Sequence, residues 1–133
     1  MEEMVLFQPP SVLIVDRSEE TREVLTTALE RRGLRILSAS RPGRGLQLAR
    51  EHHPDLIVLD LEAEGGEADE VCTPFAEQSR ANQTTLVVLG SVRRDYPYPT
   101  VGEIIPKPYH YGPLIRRIEE LVMGTGRDYA RCA

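Results

Sequence analysis

The stretch SVLIVDRSEETREVL, residues 11–25, places an acid and a base where a run of apolar residues stops. Four consecutive apolar residues, Val12–Val15, predict a strand that is covered on both faces of a sheet. Asp16 and Arg17 follow this strand directly. Ser18 is a good helix N-cap, so a helix is expected to begin immediately after it. The stretch therefore predicts a strand, a charged turn and a helix in immediate succession.

Strand and helix patterns alternate along the rest of the chain. Most of the strand patterns are continuous apolar runs, but Leu34–Ala39 alternates apolar and polar residues, which predicts a half-covered strand near an edge of the sheet. The predicted strands are Val12–Val15, Leu34–Ala39, Asp55–Asp60, Thr84–Gly90 and Gly102–Pro106, and the predicted helices cover about 19–32, 43–52, 69–80 and 112–123. This order predicts an α/β fold with a mostly parallel sheet.

One segment breaks the alternation. The sequence SVRRDYPYPTV, residues 91–101, lies between the last two predicted strands, where a helix is expected. Pro97 and Pro99 each remove a backbone donor and restrict the residue before them, so a regular helix is excluded there. We therefore predict that the fourth of five helices is short or missing.

Composition predicts one soluble domain. A chain of 133 residues can bury roughly two-thirds of the surface that its unfolded form exposes. The predicted domain covers residues 11–123, with an N-terminal extension at 1–10 and a loose, Gly-bearing tail at 124–133. No apolar run approaches the ~20 residues of a membrane span, and the acidic start does not resemble a secretory signal.

Charge and cysteine content narrow the expected environment. The net charge of −5 argues against nucleic acid as the main partner, because phosphate binding needs a basic face. Cys72 and Cys132 show neither a metal-ligand spacing nor a disulfide framework. We therefore expect a cytoplasmic protein that binds neither nucleic acid nor a membrane.

Three charged residues fall at the carboxyl ends of predicted strands, where parallel α/β sheets bind ligands. They are Asp16, Asp60 and Lys107. Two neighbouring carboxylates repel each other, and a divalent cation relieves that repulsion. A carboxylate so placed can act as a nucleophile and form an aspartyl-phosphate, while a lysine holds a phosphoryl oxygen. Taken singly, each residue also fits an ordinary role as a hydrogen-bonded strand end or an ion-pair partner.

The motifs VLIVD, PDLIVLDL and KP, in this order and at this spacing, resemble the receiver domains of two-component response regulators. The resemblance runs from about Ser11 to Met123. It implies a flavodoxin-like, doubly wound sheet of five parallel strands in the order 2-1-3-4-5. It also implies that Asp60 is the phosphoacceptor and that Lys107 contacts the phosphoryl group. Mg²⁺ would be held by Asp16, Asp60 and the backbone carbonyl of Glu62.

The resemblance also implies partners. A histidine kinase, a phosphotransfer protein or a small phosphodonor would supply the phosphate, and a downstream protein would read the state of the domain. A second copy of the chain is a further candidate partner. Phosphorylation of Asp60 would be regulatory, so we do not expect an enzyme with an external substrate.

Three positions depart from the family pattern. Arg17 stands where the family carries a second acid that ligates the metal directly. Gly90 stands where a Thr or Ser usually donates to the phosphoryl group, and Ser91, one residue later, is the candidate substitute hydroxyl. Ile104 replaces an aromatic residue. The rearrangement that carries the signal in receivers depends on that hydroxyl and aromatic, so any switch here is expected to be blunted or to use another surface.

Charge predicts a weak metal site. The formal charge of the site changes from −2 in the family pattern to zero here. At an effective dielectric of 20, a dication ~5 Å from a unit charge interacts by ~7 kcal/mol, an upper bound because an arginine can turn into water. The Arg17 guanidinium either pairs with Asp16 or Asp60 in the cation's place, or points into solvent.

Two functions follow from these observations. The first is a receiver that is phosphorylated on Asp60 and binds Mg²⁺ weakly. The second is a pseudo-receiver, in which the same fold binds other proteins without phosphorylation. A flavin or nucleotide binder on the same topology is disfavoured, because the first loop, DRSEET, lacks the chemistry that cradles phosphates on backbone amides.

Overall fold

The computed structural model describes residues 8–62, 68–90 and 102–132, with side chains described at 8–62, 70–90 and 102–124. Five strands and four helices lie within these ranges. They are β1 (Ser11–Val15), α1 (Glu19–Arg31), β2 (Arg35–Ala39), α2 (Pro42–His52), β3 (Leu56–Asp60), α3 (Ala68–Asn82), β4 (Thr85–Leu89), β5 (Gly102–Ile105) and α4 (Tyr111–Cys132). None of the helices in the described ranges combines the length and the apolar composition of a membrane span.

The five strands form one sheet in the order β2-β1-β3-β4-β5, and every neighbouring pair is parallel. This confirms the predicted doubly wound topology. β1 and β3 are buried along their whole length, whereas β2 is partly exposed and lies at an edge. The difference follows the sequence, because continuous apolar runs suit central parallel strands and an alternating run suits an edge.

Two apolar cores lie on the two faces of the sheet. On one face, alternate residues of β1 such as Val12 and Ile14 pack in a cluster with residues of α1 and α4. On the other face, Leu13 and Val15 belong to a cluster with α2 and α3. Successive side chains of a strand point to opposite faces, so each helix pair covers its own half of the strand residues. Because all five strands are parallel, the carboxyl ends of β1, β3 and β5 lie along the same edge of the sheet, which is the carboxyl edge rather than an outer strand.

The first helix begins where the sequence predicts. Ser18 is its N-cap, and the Ser18 side chain accepts a hydrogen bond of 3.1 Å from the backbone N–H of Thr21. Gly33 follows the helix with a φ of 87°, a conformation that glycine adopts without strain. Because α1 begins at this cap, the turn between β1 and α1 is short, and it places Asp16 and Arg17 directly after the end of β1.

The last helix differs from the prediction at its end. Residues 124–132, predicted as a loose tail, continue α4 to Cys132. An interior glycine costs a helix only about 1 kcal/mol, and extending an existing helix is easier than starting one, so Gly124 and Gly126 do not end α4. The predicted loss of the helix between β4 and β5 concerns residues 91–101, which lie outside the described residues, so it stays a prediction.

Candidate functional site

Asp16 lies immediately beyond β1, with only 3% of its surface exposed. Its backbone N–H donates to the carbonyl of Ala39 at 3.0 Å, which extends the pairing of β1 with β2 by one residue. Its Oδ1 accepts a hydrogen bond of 2.8 Å from the N–H of Ser18. Arg22 adds a second constraint, because its Nη1 donates to the carbonyl oxygens of Asp16 and Arg17 at 2.8 and 3.3 Å. The turn is therefore held from both ends.

Asp60 is the last residue of β3 and is 4% exposed. Its Oδ1 accepts two hydrogen bonds, one of 3.1 Å from the N–H of Glu62 and one of 2.6 Å from the Nζ of Lys107. Lys107 follows β5, and its Nζ also lies 3.5 Å from Oε1 of Glu62. The ammonium and the phosphoacceptor candidate thus meet at the shared edge of the sheet, as the sequence predicted.

The three groups share one environment, and the pKa values of Asp16 and Lys107 depend on it. Burial raises the pKa of Asp16, and the negative charge of Asp60 raises it further against the opposing effect of the Ser18 N–H. Burial alone would lower the pKa of Lys107, but its hydrogen bond to Asp60 and the surrounding carboxylates raise it above the ordinary value. Lys107 therefore stays protonated, and the edge holds two buried carboxylates against one ammonium.

This donor set fits a hard divalent cation of the Mg²⁺ type. Within the described chain, Oδ2 of Asp16 and Oδ2 of Asp60 accept no hydrogen bond, so each carboxylate keeps one oxygen for a ligand. Mg²⁺ is commonly held in proteins by one or two carboxylates and completes its octahedron with water. Among the side chains that the structure describes, those of residues 8–62, 70–90 and 102–124, no group of three or more His, Cys, Asp or Glu is arranged to hold a metal. The site therefore offers two carboxylates, those of Asp16 and Asp60, which is within the number that Mg²⁺ commonly uses in proteins.

Arg17 is exposed, and in the part of the chain that the structure describes it forms no ion pair. Of the two placements that the sequence left open, the structure has the side chain in solvent. The guanidinium does not pair with Asp16 or Asp60 and does not fill the cation's place. Arg17 therefore affects metal binding in two ways: it supplies no carboxylate where the family carries an acid, and it adds a positive charge that solvent screens.

The position of the usual hydroxyl is occupied by Gly90, directly after β4. Its N–H donates to the carbonyl of Ile105 at 2.9 Å, and its φ is 126°, a region that side chains rarely adopt. Ser91, the candidate substitute hydroxyl, lies outside the described residues. Ile104, in the position of the usual aromatic residue, is 42% exposed on β5.

Four residues beside the site were not foreseen from the sequence. The hydroxyls of Thr21 and Tyr111 lie 2.9 Å apart, across a separation of 90 residues. The ring of Tyr109 meets the ring of Tyr111 edge-on, with centroids 6.1 Å apart. Burial, followed by the charge of Asp16, raises the pKa of Tyr109 to about 12. Arg22 was likewise unforeseen, although its place one turn after the N-cap was a usable signal.

Comparison with known proteins decides the family. The family model described as the response regulator receiver domain matches residues 12–118, which include the ends of β1, β3 and β5. The chain belongs to the response regulator receiver family. The resemblance that the three sequence motifs carried is confirmed, and with it the assignment to two-component signalling.

Curated relatives of this receiver include proteins named as transcriptional regulatory proteins. It is 43% identical over 114 residues to the KDP operon transcriptional regulatory protein KdpE of Escherichia coli, a match that covers 81% of this chain and 49% of that protein. It is 36% identical over 80 residues to the transcriptional regulatory protein AfsQ1 of Streptomyces coelicolor, covering 60% of this chain and 34% of that one. The receiver thus spans about half or less of the length of these relatives.

Solved structures agree on the fold. The chemotaxis protein CheY4 of Vibrio cholerae superposes with a TM-score of 0.69 at 19% identity, covering 84% of this chain and 98% of that one. A CheY-like receiver domain protein of Methanospirillum hungatei gives a TM-score of 0.74 at 17% identity, covering 91% and 99%. At these identities the likeness shows the fold alone, and that fold is the predicted one.

Proposed function

We propose that this receiver is phosphorylated on Asp60 by a histidine kinase, a phosphotransfer protein or a small phosphodonor. The observation that carries the proposal is the 2.6 Å contact between the Nζ of Lys107 and Oδ1 of Asp60 at the buried carboxyl edge of the sheet. An ammonium held there can bind an oxygen of an incoming phosphoryl group. Receivers as a family exchange signals with such kinases and phosphotransfer proteins.

The hydrogen bonds of Asp60 favour one of its oxygens as the nucleophile. Oδ1 already accepts from Glu62 and Lys107, whereas Oδ2 accepts none in the described chain. In the proposed step, a lone pair of Oδ2 attacks phosphorus and forms the acyl-phosphate bond. The bond between phosphorus and the donor's leaving group breaks, and that group departs with the bonding electrons. Lys107 holds a phosphoryl oxygen throughout and transfers no proton.

Mg²⁺ is the expected cofactor, held by the carboxylates of Asp16 and Asp60 and by the backbone carbonyl of Glu62. When bound, the ion would neutralise charge on the phosphoryl oxygens. We propose that its affinity is low, because Arg17 stands in the place of a third carboxylate and adds a positive charge. The yield of phosphorylated protein should therefore rise steeply with Mg²⁺ concentration.

The further partners follow from the same proposal. A downstream protein would read the phosphorylated state, a second copy of the chain is a candidate partner, and the reaction would take place in the cytoplasm. Ser91 is proposed as the hydroxyl that replaces the missing one at Gly90. Ser91→Ala should then lower the yield of phosphorylated protein. The wild type should be phosphorylated even though residue 90 carries no hydroxyl.

The test is intact mass after incubation with acetyl phosphate and Mg²⁺. We expect an adduct of one phosphoryl group on the wild type and none on Asp60→Asn. Asp55→Asn is the matched control, because Asp55 precedes the same strand at its opposite end and binds the N–H of Ser11. An adduct that persists in Asp60→Asn would refute the assignment of the phosphoacceptor.

A second candidate function is a pseudo-receiver that binds other proteins without phosphorylation. Two observations favour it: Arg17 in the place of an acid, and Gly90 in the place of a hydroxyl. This function predicts no adduct on the wild type, even with a large excess of Mg²⁺ and phosphodonor. It also predicts that Asp60→Asn leaves binding to a protein partner unchanged.

A further inference from the structure

A continuous series of hydrogen bonds leads from the Asp16 carboxylate into α1. Oδ1 of Asp16 accepts from the N–H of Ser18 at 2.8 Å. The Ser18 hydroxyl in turn accepts from the N–H of Thr21 at 3.1 Å. Thr21 lies in the first turn of α1 and is 7% exposed, so its side chain has little access to water. The first turn of this helix is thereby rigidly tied to the carboxylate.

The series continues into α4. The Thr21 hydroxyl lies 2.9 Å from the hydroxyl of Tyr111, the first residue of α4. A buried hydroxyl without a partner is costly, so this contact is favoured over separation of the two groups. Tyr111 is four residues beyond Lys107, and its ring packs edge-on against Tyr109 in the connecting loop. The same contact therefore ties α1 to the loop that carries the ammonium.

The loop between β1 and α1 and the loop between β5 and α4 bring opposite charges to one site. The first loop begins with Asp16, and the second carries Lys107, whose Nζ lies 2.6 Å from Oδ1 of Asp60. Among the described residues, the Thr21–Tyr111 pair is the side-chain hydrogen bond that joins the first turn of α1, which follows one loop, to the first residue of α4, which follows the other. A group that must stay within hydrogen-bond reach of a phosphoryl oxygen is sensitive to displacements of about 1 Å.

We propose that Thr21 and Tyr111 are positioning residues of this receiver: their hydroxyl pair holds Lys107 in register with Asp16 and Asp60. Neither side chain touches the phosphoryl group. One test of this inference, the rate of phosphorylation, rests on the proposed phosphorylation of Asp60. The other test, the backbone mobility of the loop that carries Lys107, does not. The pair acts within the part of the chain that is described, independently of Ser91 and the segment around it.

A second tie between the same helices supplies a matched control. Arg32, the C-cap of α1, donates from Nε to Oε1 of Glu119 in α4 at 3.0 Å. It also joins α1 to α4, but at the end of α1 remote from the site. If Thr21–Tyr111 only stabilises helix packing, its loss should resemble the loss of Arg32–Glu119. If it positions Lys107, the two losses should differ.

The variants separate the hydroxyls from packing. Thr21→Val is nearly isosteric and removes one hydroxyl, Thr21→Ser keeps it, and Tyr111→Phe removes the other. Glu119→Gln weakens the remote tie. Tyr109→Phe removes a neighbouring hydroxyl that makes no hydrogen bond within the described residues. Each change deletes or replaces a few atoms, and thermal denaturation of each variant is the check that it is folded at the assay temperature.

The kinetic measurement is the rate constant for acetyl phosphate-driven phosphorylation, with its dependence on acetyl phosphate concentration. We expect Thr21→Val and Tyr111→Phe each to lower the maximal rate constant about tenfold at an unchanged half-saturating concentration. The double variant should be no slower than either single one, because both remove the same contact. Thr21→Ser, Tyr109→Phe and Glu119→Gln should stay near the wild-type rate. Equal rates for Thr21→Val and Glu119→Gln would overturn the proposal.

The geometric measurement uses unphosphorylated protein without metal. Nitrogen relaxation should show rigid backbone amides at Lys107, Tyr109 and His110 in the wild type, with order parameters of about 0.85. Thr21→Val should lower these values clearly, and Thr21→Ser should restore them. Unchanged values in Thr21→Val would reject the positioning role. If the wild type accepts no phosphate, the proposed function fails, and this second measurement still decides the inference.

Discussion

Arginine 17 gives the sharpest test of how this receiver binds metal. The change Arg17→Asp restores an acid beside Asp16 and reverses one charge next to the two buried carboxylates. Because the Arg17 side chain is exposed and forms no ion pair in the described chain, its replacement disturbs no packing and orphans no partner among those residues. The effect on Mg²⁺ affinity should therefore report electrostatics and ligation alone. Arg17→Gln separates the two, because it removes the charge without adding a carboxylate.

The expected magnitudes follow from the exposure of Arg17. In bulk water, with a separation of about 8 Å and a Debye length of about 8 Å, a unit charge and a dication interact by about 0.4 kcal/mol. Arg17→Gln should then tighten Mg²⁺ binding about twofold. Arg17→Asp adds a carboxylate that can approach within about 4 Å, worth about 2 kcal/mol more, so it should tighten binding about fiftyfold.

Calorimetric titration with MgCl₂ at fixed ionic strength measures these differences. Arg50→Asp carries the same charge change to the last turn of α2, at the opposite edge of the sheet, and should leave the affinity unchanged. Wild type and Arg17→Asp binding Mg²⁺ equally well would refute the account of the weak site. If Arg17→Gln raises the Mg²⁺ affinity as much as Arg17→Asp does, the positive charge rather than the missing carboxylate is the cause of the weak binding.

Three further variants test separate parts of the account. Lys107→Gln removes the ammonium at Asp60 and should slow phosphorylation by acetyl phosphate about a hundredfold without unfolding the domain; an unchanged rate in a phosphate-release assay would contradict its role. Because burial raises the pKa of Asp16, the folded state binds that proton more tightly than the unfolded state, and the ionised carboxylate costs stability above the folded-state pKa. Asp16→Asn should therefore raise Tm at pH 7.5, with the gain disappearing as pH falls toward about 4, and an equal gain at both pH values in scanning calorimetry would exclude this cause. Gly45→Ala would place a Cβ 2.5 Å from a methyl carbon of Val15 and should cost about 1–3 kcal/mol in urea denaturation, whereas Gly43→Ala, which meets nothing within 4 Å, should cost nothing.

The sequence predicted the fold and the meeting of three charges because both follow from local patterns. Buried apolar runs identify central parallel strands, and parallel strands place their carboxyl ends at one edge. Asp16, Asp60 and Lys107 each end or follow a parallel strand, central for the two acids and at an edge for the lysine, so topology alone brings them together. No knowledge of side-chain conformations was needed for that step.

Other features depend on side-chain conformation and long-range contact, which the sequence does not encode locally. Whether Arg17 turns inward or into solvent depends on its rotamer, and the sequence left both placements open. The contact between Thr21 and Tyr111 joins residues 90 positions apart, with no periodic signal at either one. The end of α4 was also placed too early, because two glycines suggested a break that an established helix absorbs.

The central claim is that Asp60 forms the acyl phosphate. Its most direct test is reduction of the acetyl phosphate-treated protein with sodium borohydride, which converts an aspartyl-phosphate to homoserine, followed by mass analysis of peptides. We predict homoserine at position 60 and unmodified aspartate at positions 16 and 55. Homoserine at position 16, or at none of the three positions despite a phosphoryl adduct on the intact protein, would contradict the account.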